Sequence, residues 1–281
     1  VLSGDRLRTT CIAVGGVVLL GLVVAACSAA TSHGARHEAT STSATSAPTT
    51  TATSVVPVTN TATFPVVIVQ AMAQFSPLPA GARAPVRLPS VQGYITAQTV
   101  GLAGEDNVTL IATSQPEPVN SPALSSANAG REVASFKTTP TASPSNAQAN
   151  LAQQKSNAIV ACGGPSSPLR LANGTAATTC PTLDGAAIDW SVGPWAVQVL
   201  TLDGTTPSTA EADHLVGELG SLPASDVGGI VSVVVPGNPS AGTADTAALA
   251  WTVGADAYQV RSSDDPDSAV FVADAMRPYP A

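Results

Sequence analysis

An internal repeat is the strongest constraint on how this chain can fold. Ile188 to Val199 reads IDWSVGPWAVQV, Leu249 to Val260 reads LAWTVGADAYQV, and the two align without a gap at an offset of 61 residues. Trp190 and Trp251, Val192 and Val253, Gly193 and Gly254, Ala196 and Ala257, Gln198 and Gln259, and Val199 and Val260 coincide. The register continues through Asp203 and Asp264, Ala212 and Ala273, and Asp213 and Asp274. In each copy a glycine separates two β-rich runs and permits a tight turn, which predicts a hairpin. A helix should follow each hairpin. In the first, Thr206 is the predicted N-cap with Pro207 at the first helical position, and Ala212, Leu215, Val216 and Leu219 share one face. Asp265 and Pro266 start the second, with Ala269, Val272, Ala273 and Met276 on one face. Between the copies, Gly229 to Val235 is an apolar run ending at Pro236 and Gly237, as a buried strand would. Residues 181–281 therefore read as a duplicated ββα unit with a strand between the copies. Two copies are too few for a solenoid. The expected fold class is α+β, an antiparallel sheet with helices on one face.

Residues 56–180 read as a β-rich N-terminal part. Phe64 to Met72 is apolar and suits a strand or a short helix, and Pro77, Pro79, Pro85 and Pro89 then enforce an irregular crossing. Val91 to Val100 and Val108 to Thr113 read as a hairpin. Pro116 to Pro144 is mainly loop, with a strand candidate at Glu132 to Phe136, and Asn146 to Ile159 is a helix candidate. A boundary is placed near Cys180, with the two parts able to share one core.

Composition narrows the function classes. Only 4% of the chain is aromatic, so Val, Leu, Ile and Ala must fill the interior, which favours strands rich in β-branched residues. Cys27 to Cys180 carries 7 basic and 5 acidic residues, whereas Pro181 to Ala281 carries 2 basic and 13 acidic ones. Nucleic acid is not expected as a partner, because phosphate binding rests on Lys and Arg.

The N-terminus supplies an address. Arg6 and Arg8 precede an apolar or small-residue run of 15 residues, Ile12 to Ala26, in the layout of an export signal. That run is shorter than the roughly 20 residues a spanning helix needs. Val24, Ala25 and Ala26 before Cys27 resemble the lipobox of bacterial lipoproteins, and the Ala, Thr, Gly, Val and Pro bias resembles the actinobacterial type. The resemblance implies removal of residues 1–26, a thioether-linked diacylglycerol on Cys27, and attachment to the outer face of the cell membrane. From Ser28 to Ser54, 22 of 27 residues are Ser, Thr, Ala or Pro, too little apolar surface to offset the entropy of ordering. Residues 27–55 are thus expected to form a disordered tether, reaching about 30 Å as a coil and about 90 Å fully extended. Thr49, Thr50 and Thr51 beside Pro48 suit O-linked sugars. With Cys11 in the signal and Cys27 on lipid, Cys162 and Cys180 are expected to form a disulfide around the loop 163–179.

Candidate chemistry is sparse. His214 is predicted on the first C-terminal helix with Glu218 at helical spacing, an arrangement that more often makes a solvated pair than a catalytic one. His33, His37 and Glu38 fall in the tether, where nothing orients metal ligands. Asp264, Asp265 and Asp267 have the density of a calcium loop without its spacing, and capping accounts for Asp265. No nucleophile elbow, dinucleotide loop, Walker lysine loop or zincin helix occurs in the sequence, so neither a cofactor nor a metal is expected. Of the tryptophans, Trp190 and Trp251 belong inside by repeat symmetry. Trp195, whose counterpart is Asp256, is expected to be the most exposed and is a ligand-binding candidate. These readings describe a non-catalytic, lipid-anchored envelope module that binds a partner protein or ligand. An envelope hydrolase using His214 and a lipid carrier with an apolar cavity are the alternatives.

Overall fold

Both copies of the repeat turn back where their glycine stands. In the computed structural model, which describes residues 63–102, 104–126, 130–225, 227–237, 244–263 and 265–280, Gly193 has φ +55° and Gly254 φ +59°. Val192 faces Trp195 and Val253 faces Asp256 across two-residue loops. A positive φ at the first loop position matches the twist of the strands and costs glycine nothing.

In chain order, helix α1 (Val66–Met72) opens the described residues, followed by β1 (Arg83–Pro85) and the hairpin β2 (Tyr94–Leu102) and β3 (Glu105–Thr113). The apolar stretch at Phe64 to Met72 is thus helical, and the hairpin turn is tighter than expected, with Glu105 and Asp106 inside β3. Strand β4 (Arg131–Pro140) continues four residues past the expected end at Phe136. Helix α2 (Pro144–Ala158) is capped by Ser143, whose hydroxyl accepts from the Asn146 N–H at 3.2 Å, with Pro144 in the first turn. Residues 163–179 are more than a loop: β5 (Ser167–Arg170) and β6 (Ala176–Pro181) pair antiparallel there. The first repeat copy is β7 (Gly185–Val192), β8 (Trp195–Leu202) and α3 (Thr209–Glu218). Its cap is Ser208, which accepts from the Glu211 N–H, two residues after the expected Thr206. Strand β9 (Gly229–Pro236) separates it from the second copy: β10 (Thr246–Val253), β11 (Asp256–Ser262) and α4 (Pro266–Ala275), the last capped by Asp265 as expected. Strand β12 (Met276–Pro278) pairs with β1.

Among the described residues, ten strands form one sheet in the order β2-β3-β4-β11-β10-β9-β8-β7-β6-β5. Nine residues of β2 lie at one edge, where Asn120 stands in for a missing strand: its N–H donates to the Ala97 carbonyl and its side-chain oxygen accepts from the Thr99 N–H. All neighbours are antiparallel except β8 and β9, which are parallel because α3 carries the chain back over the sheet. The fold is α+β, as the repeat requires. The change of composition near Cys180 falls inside the sheet, with β6 joining β5 to β7. No helix among the described residues is long and apolar enough to cross a membrane.

Strand alternation sorts side chains onto two faces. On one, Val231, Val233, Leu249, Trp251 and Val260 pack with Ala212 and Leu215 of α3 and Ala269, Val272 and Ala273 of α4. Both C-terminal helices cover this face, while α2 lies on the other, where its Leu151 meets Ile230 and Ala250. At the centre of the core, Trp251 stacks on Tyr258 with ring centroids 5.4 Å apart and meets Trp195 at 6.1 Å. Trp195 is therefore not exposed: 4% of its surface reaches solvent, against 0% for Trp251. It shares the strand face of Val197 and Val199 and lies over Gly229, which has no side chain to obstruct the ring. A Cβ on Gly229 would stand 2.5 Å from the Trp195 ring and 2.6 Å from the Ala250 carbonyl oxygen. Gly229→Ala is expected to lower unfolding free energy by about 1–3 kcal/mol through overpacking. Equilibrium denaturation should register this, whereas Gly174→Ala, with no atom near its Cβ, bears only the cost of a positive φ in a turn.

Candidate functional site

The open face of the sheet carries a row of hydrogen-bonding side chains set by strand register. Across β6, β7, β8 and β9, Thr178 faces Asp189, Asp189 faces Gln198, and Gln198 faces Ser232. Beyond Ala248 of β10, the row resumes with Arg261 of β11 and Ser135 of β4. Antiparallel and parallel neighbours alike lie about 4.8 Å apart, so the row forms a near-continuous polar line across an otherwise Ala- and Val-rich surface.

The end of α2 and the residues after it cross this line as a strap. The Ser232 hydroxyl donates to the Ala158 carbonyl at 2.9 Å, satisfying one of the open carbonyls of the helix C-terminus. Gln198, wholly buried, accepts from the Val160 N–H at 2.8 Å, donates to the Val160 carbonyl at 2.9 Å and donates to Asp189 Oδ1 at 2.8 Å. One side-chain amide thus treats Val160 as a neighbouring strand would. The strap is then covalently fastened by the disulfide between Cys162 and Cys180. Cys180 is buried with Ala187 and Leu200, and Val160 packs against them. Asp189 Oδ2 lies 4.0 Å from Cys180 Sγ. Both sulfurs are committed to the bridge and have no thiolate to offer, so this trio is not a set of metal ligands.

The strap divides the open face into two grooves. One, of about 550 Å³, is walled by Val160, Leu200, Val234 and Ala248, with Glu132 and Arg261 among its polar groups. Gln259, with its amide oxygen turned to the Arg261 guanidinium, meets it at 2.9 and 3.1 Å and orients it. The other, of about 530 Å³, is bounded by Lys155, Ile159, Thr178, Asp189 and Ala196. Burial pushes the Glu132 carboxyl above its ordinary range. It raises Asp189 too, against the opposing hydrogen bond from Gln198. Each groove therefore offers a carboxyl, a basic side chain, hydroxyls and an apolar wall. That combination suits reversible binding of an amphipathic or hydroxylated surface.

The residues singled out from sequence fall elsewhere, apart from the cysteines. Cys27, His33, His37, Glu38 and Asp264 lie outside the described residues. His214 on α3 meets Asp267 of α4, not Glu218, with Nε2 2.8 and 3.0 Å from the two carboxylate oxygens. That hydrogen bond and the Asp267 charge raise the imidazole pKa, with smaller contributions from Glu211 and Glu218. The pair is half exposed and ties the two helices together at the surface. Asp265 caps α4 and accepts from the Ser268 hydroxyl at 2.7 Å. With Asp274 bound to Arg87 at 2.8 Å, three of the four carboxylates that line the hollow of about 390 Å³ beside α4, Asp265, Asp267 and Asp274, already have structural partners, Glu218 being the fourth. Trp190 and Trp251 are buried. Gln198, Ser232 and Asp189 were not sequence candidates; the shared glutamine of the repeat was the one signal pointing to them.

No protein-family model, curated protein or solved structure matches the chain.

The strap's three anchors make separable contributions. Gln198→Ala leaves both polar groups of Val160 and one of Asp189 without their partner, and is expected to cost about 2 kcal/mol. Hydrogen exchange at the Val160 amide should accelerate in step. Opening the disulfide of sequence separation 18 should cost about 3 kcal/mol by loop-closure entropy, read as a lower denaturation midpoint under reductant.

Proposed function

We propose that this protein is a non-catalytic binding module held at the outer face of a bacterial cell membrane by lipid on Cys27, and that the strap-flanked grooves receive its partner. The observation that carries the reading is the pair of open grooves beside α2. A sheet face that is partly uncovered, laid with a row of hydroxyl, amide and charged groups, and kept in shape by a disulfide-fastened strap has the character of a recognition surface. The anchor rests on the sequence alone: the export layout, the small residues before Cys27 and the Ser/Thr/Ala/Pro tract after it. Together they describe a module on a leash able to sample a shell some tens of ångströms deep above the membrane.

The two halves of this reading separate experimentally. Expressed in a bacterial host with labelled fatty acid, the full chain should take up label and Cys27→Ala should not; label in the variant removes the anchor. For the grooves, a photo-crosslinking residue at Ser135, inside the larger groove, should capture envelope material in the intact cell. The same residue at Leu183, 92% exposed and outside both grooves, should not. Equal capture at both positions rules out the grooves as the recognition surface, and recovery of acyl chains at Ser135 would point to the lipid-carrier alternative.

A further inference from the structure

Asp106 is a carboxylic acid sealed inside the sheet. It lies on β3 with 0% of its surface exposed, faces Thr138 of β4 in register, and stands on the core face of the sheet in line with Tyr258 and Trp251. Its Oδ1 accepts from the Thr138 N–H. Its Oδ2 has no partner, and neither does the Thr138 hydroxyl beside it. The Thr138 hydroxyl carries its own hydrogen and can turn it toward the carboxyl, so hydrogen bonding alone does not call for a proton here. The charge does: an ionised carboxylate with none of its surface in water and no countercharge is costly, and protonation removes that cost.

Among the described residues, the elements packed against it offer no countercharge. On the neighbouring β2 and α1 there is no charged residue. On β4 the closest cation, Lys137, is 3.9 Å from Glu105 on the sheet's other face. On the far side of Thr138, Tyr258 of β11 gives its hydroxyl hydrogen to the Gly81 carbonyl at 2.8 Å. The Arg83 guanidinium of β1 lies over the Tyr258 ring at 5.3 Å and acts on the Asp256 carboxylate.

We propose that Asp106 is a proton-operated latch between the N-terminal strands and the duplicated module: a proton taken from solvent onto its carboxyl lets β3 lie against β4 beside β11 with a neutral group at the junction, and its loss leaves a buried anion there without a countercharge. Burial is the main cause that lifts the Asp106 pKa from 3.8 to about 6, against the pull of the Thr138 backbone and hydroxyl contacts, with a small push from Glu105. Because the folded-state value lies above that of the unfolded chain, the stabilisation is complete below about pH 4. It is lost as pH rises through about 6 and stays lost above that. The latch does not depend on the groove reading or on the lipid anchor.

The test is the pH dependence of unfolding in the wild-type chain and in Asp106→Asn, whose amide keeps the Oδ1 acceptor and carries no charge at any pH. The share of the folded-to-unfolded ratio that Asp106 controls, taken as the difference between the two proteins, should fall on the order of ten- to a hundredfold between pH 4 and pH 7. Thr138→Val removes a hydroxyl contact that favours the ionised carboxyl while keeping the backbone N–H, and should widen that change. In the wild-type chain, the carboxyl carbon of Asp106 followed by NMR should titrate with a midpoint near 6. Amide exchange in β3 and β4, corrected for intrinsic rate, should be slower at pH 5 than at pH 7. A carboxyl midpoint at or below 4, or identical pH profiles for wild type and Asp106→Asn, overturns the latch; if the Asn variant does not fold, the carboxyl titration decides alone.

Discussion

The hydrogen-bond register of the central strands is the constraint on which the molecule depends. Side chains alternate across a sheet with a period of two, so a slip of one residue between any pair would exchange the two faces. Here the faces are chemically opposite. One carries Trp251, Tyr258, Val231 and Leu249 beneath two helices, and the other carries Gln198, Ser232 and Arg261 beneath a strap or open to solvent. Slipping β9 against β10 would drive Ser232 into the core and put Val233 under the strap. The tight two-residue turns at Gly193 and Gly254 fix register within each hairpin, and the apolar face fixes it between them.

With register set, polar groups are used economically for structure. Four carboxylates of the acidic half are put to structural use: Asp265 caps a helix, Asp267 holds His214, Asp274 holds Arg87, and Asp189 orients Gln198. Gln198 in turn supplies Val160 with the two hydrogen bonds a strand would have given it, so an irregular segment lies on the sheet without abandoning its backbone groups. The disulfide fastens the same segment a few residues on. These contacts leave a groove on each side of the strap.

Much of this was legible in the chain. The repeat located both hairpins and both helices, and spacing located the cap at Asp265, because a glycine turn and an Asp-Pro helix start are local instructions. Pro207 suggested Thr206 as the first cap, but Ser208 serves instead, its hydroxyl meeting the Glu211 N–H. The hairpin of β5 and β6 was hidden by its small size and its Gly, Pro and Ser content; pairing with β7 supplies what propensity lacks. Repeat symmetry with Asp256 points Trp195 outward, but strand parity decides its face. It is two residues before Val197 and four before Val199, and so had to share their buried face. The groove residues were out of reach for a different reason. Gln198 and Ser232 matter because a segment distant in sequence lands on them, and no local pattern encodes that landing.

Divergence between the copies is clearest at the position after the turn, where Trp195 and Asp256 correspond. In each case a glycine from another segment makes room. Trp195 seats its ring over Gly229 of the parallel neighbour β9, and Asp256 sets its carboxylate against Gly81 of the proline-rich crossing, within the influence of Arg83. The first arrangement continues the aromatic stack from Trp251 toward β8, so it needs an apolar side chain of large area. The second lies near the end of β11, opposite Pro140, where burial is partial and a nearby cation offsets part of the cost of a charge. One backbone position thus follows its neighbours: the parallel strand brought in by α3 demands an anchor, and the arm bearing β1 accepts a carboxylate. Duplication set the geometry of the two hairpins, and what came to lie beside each determined the chemistry each retained.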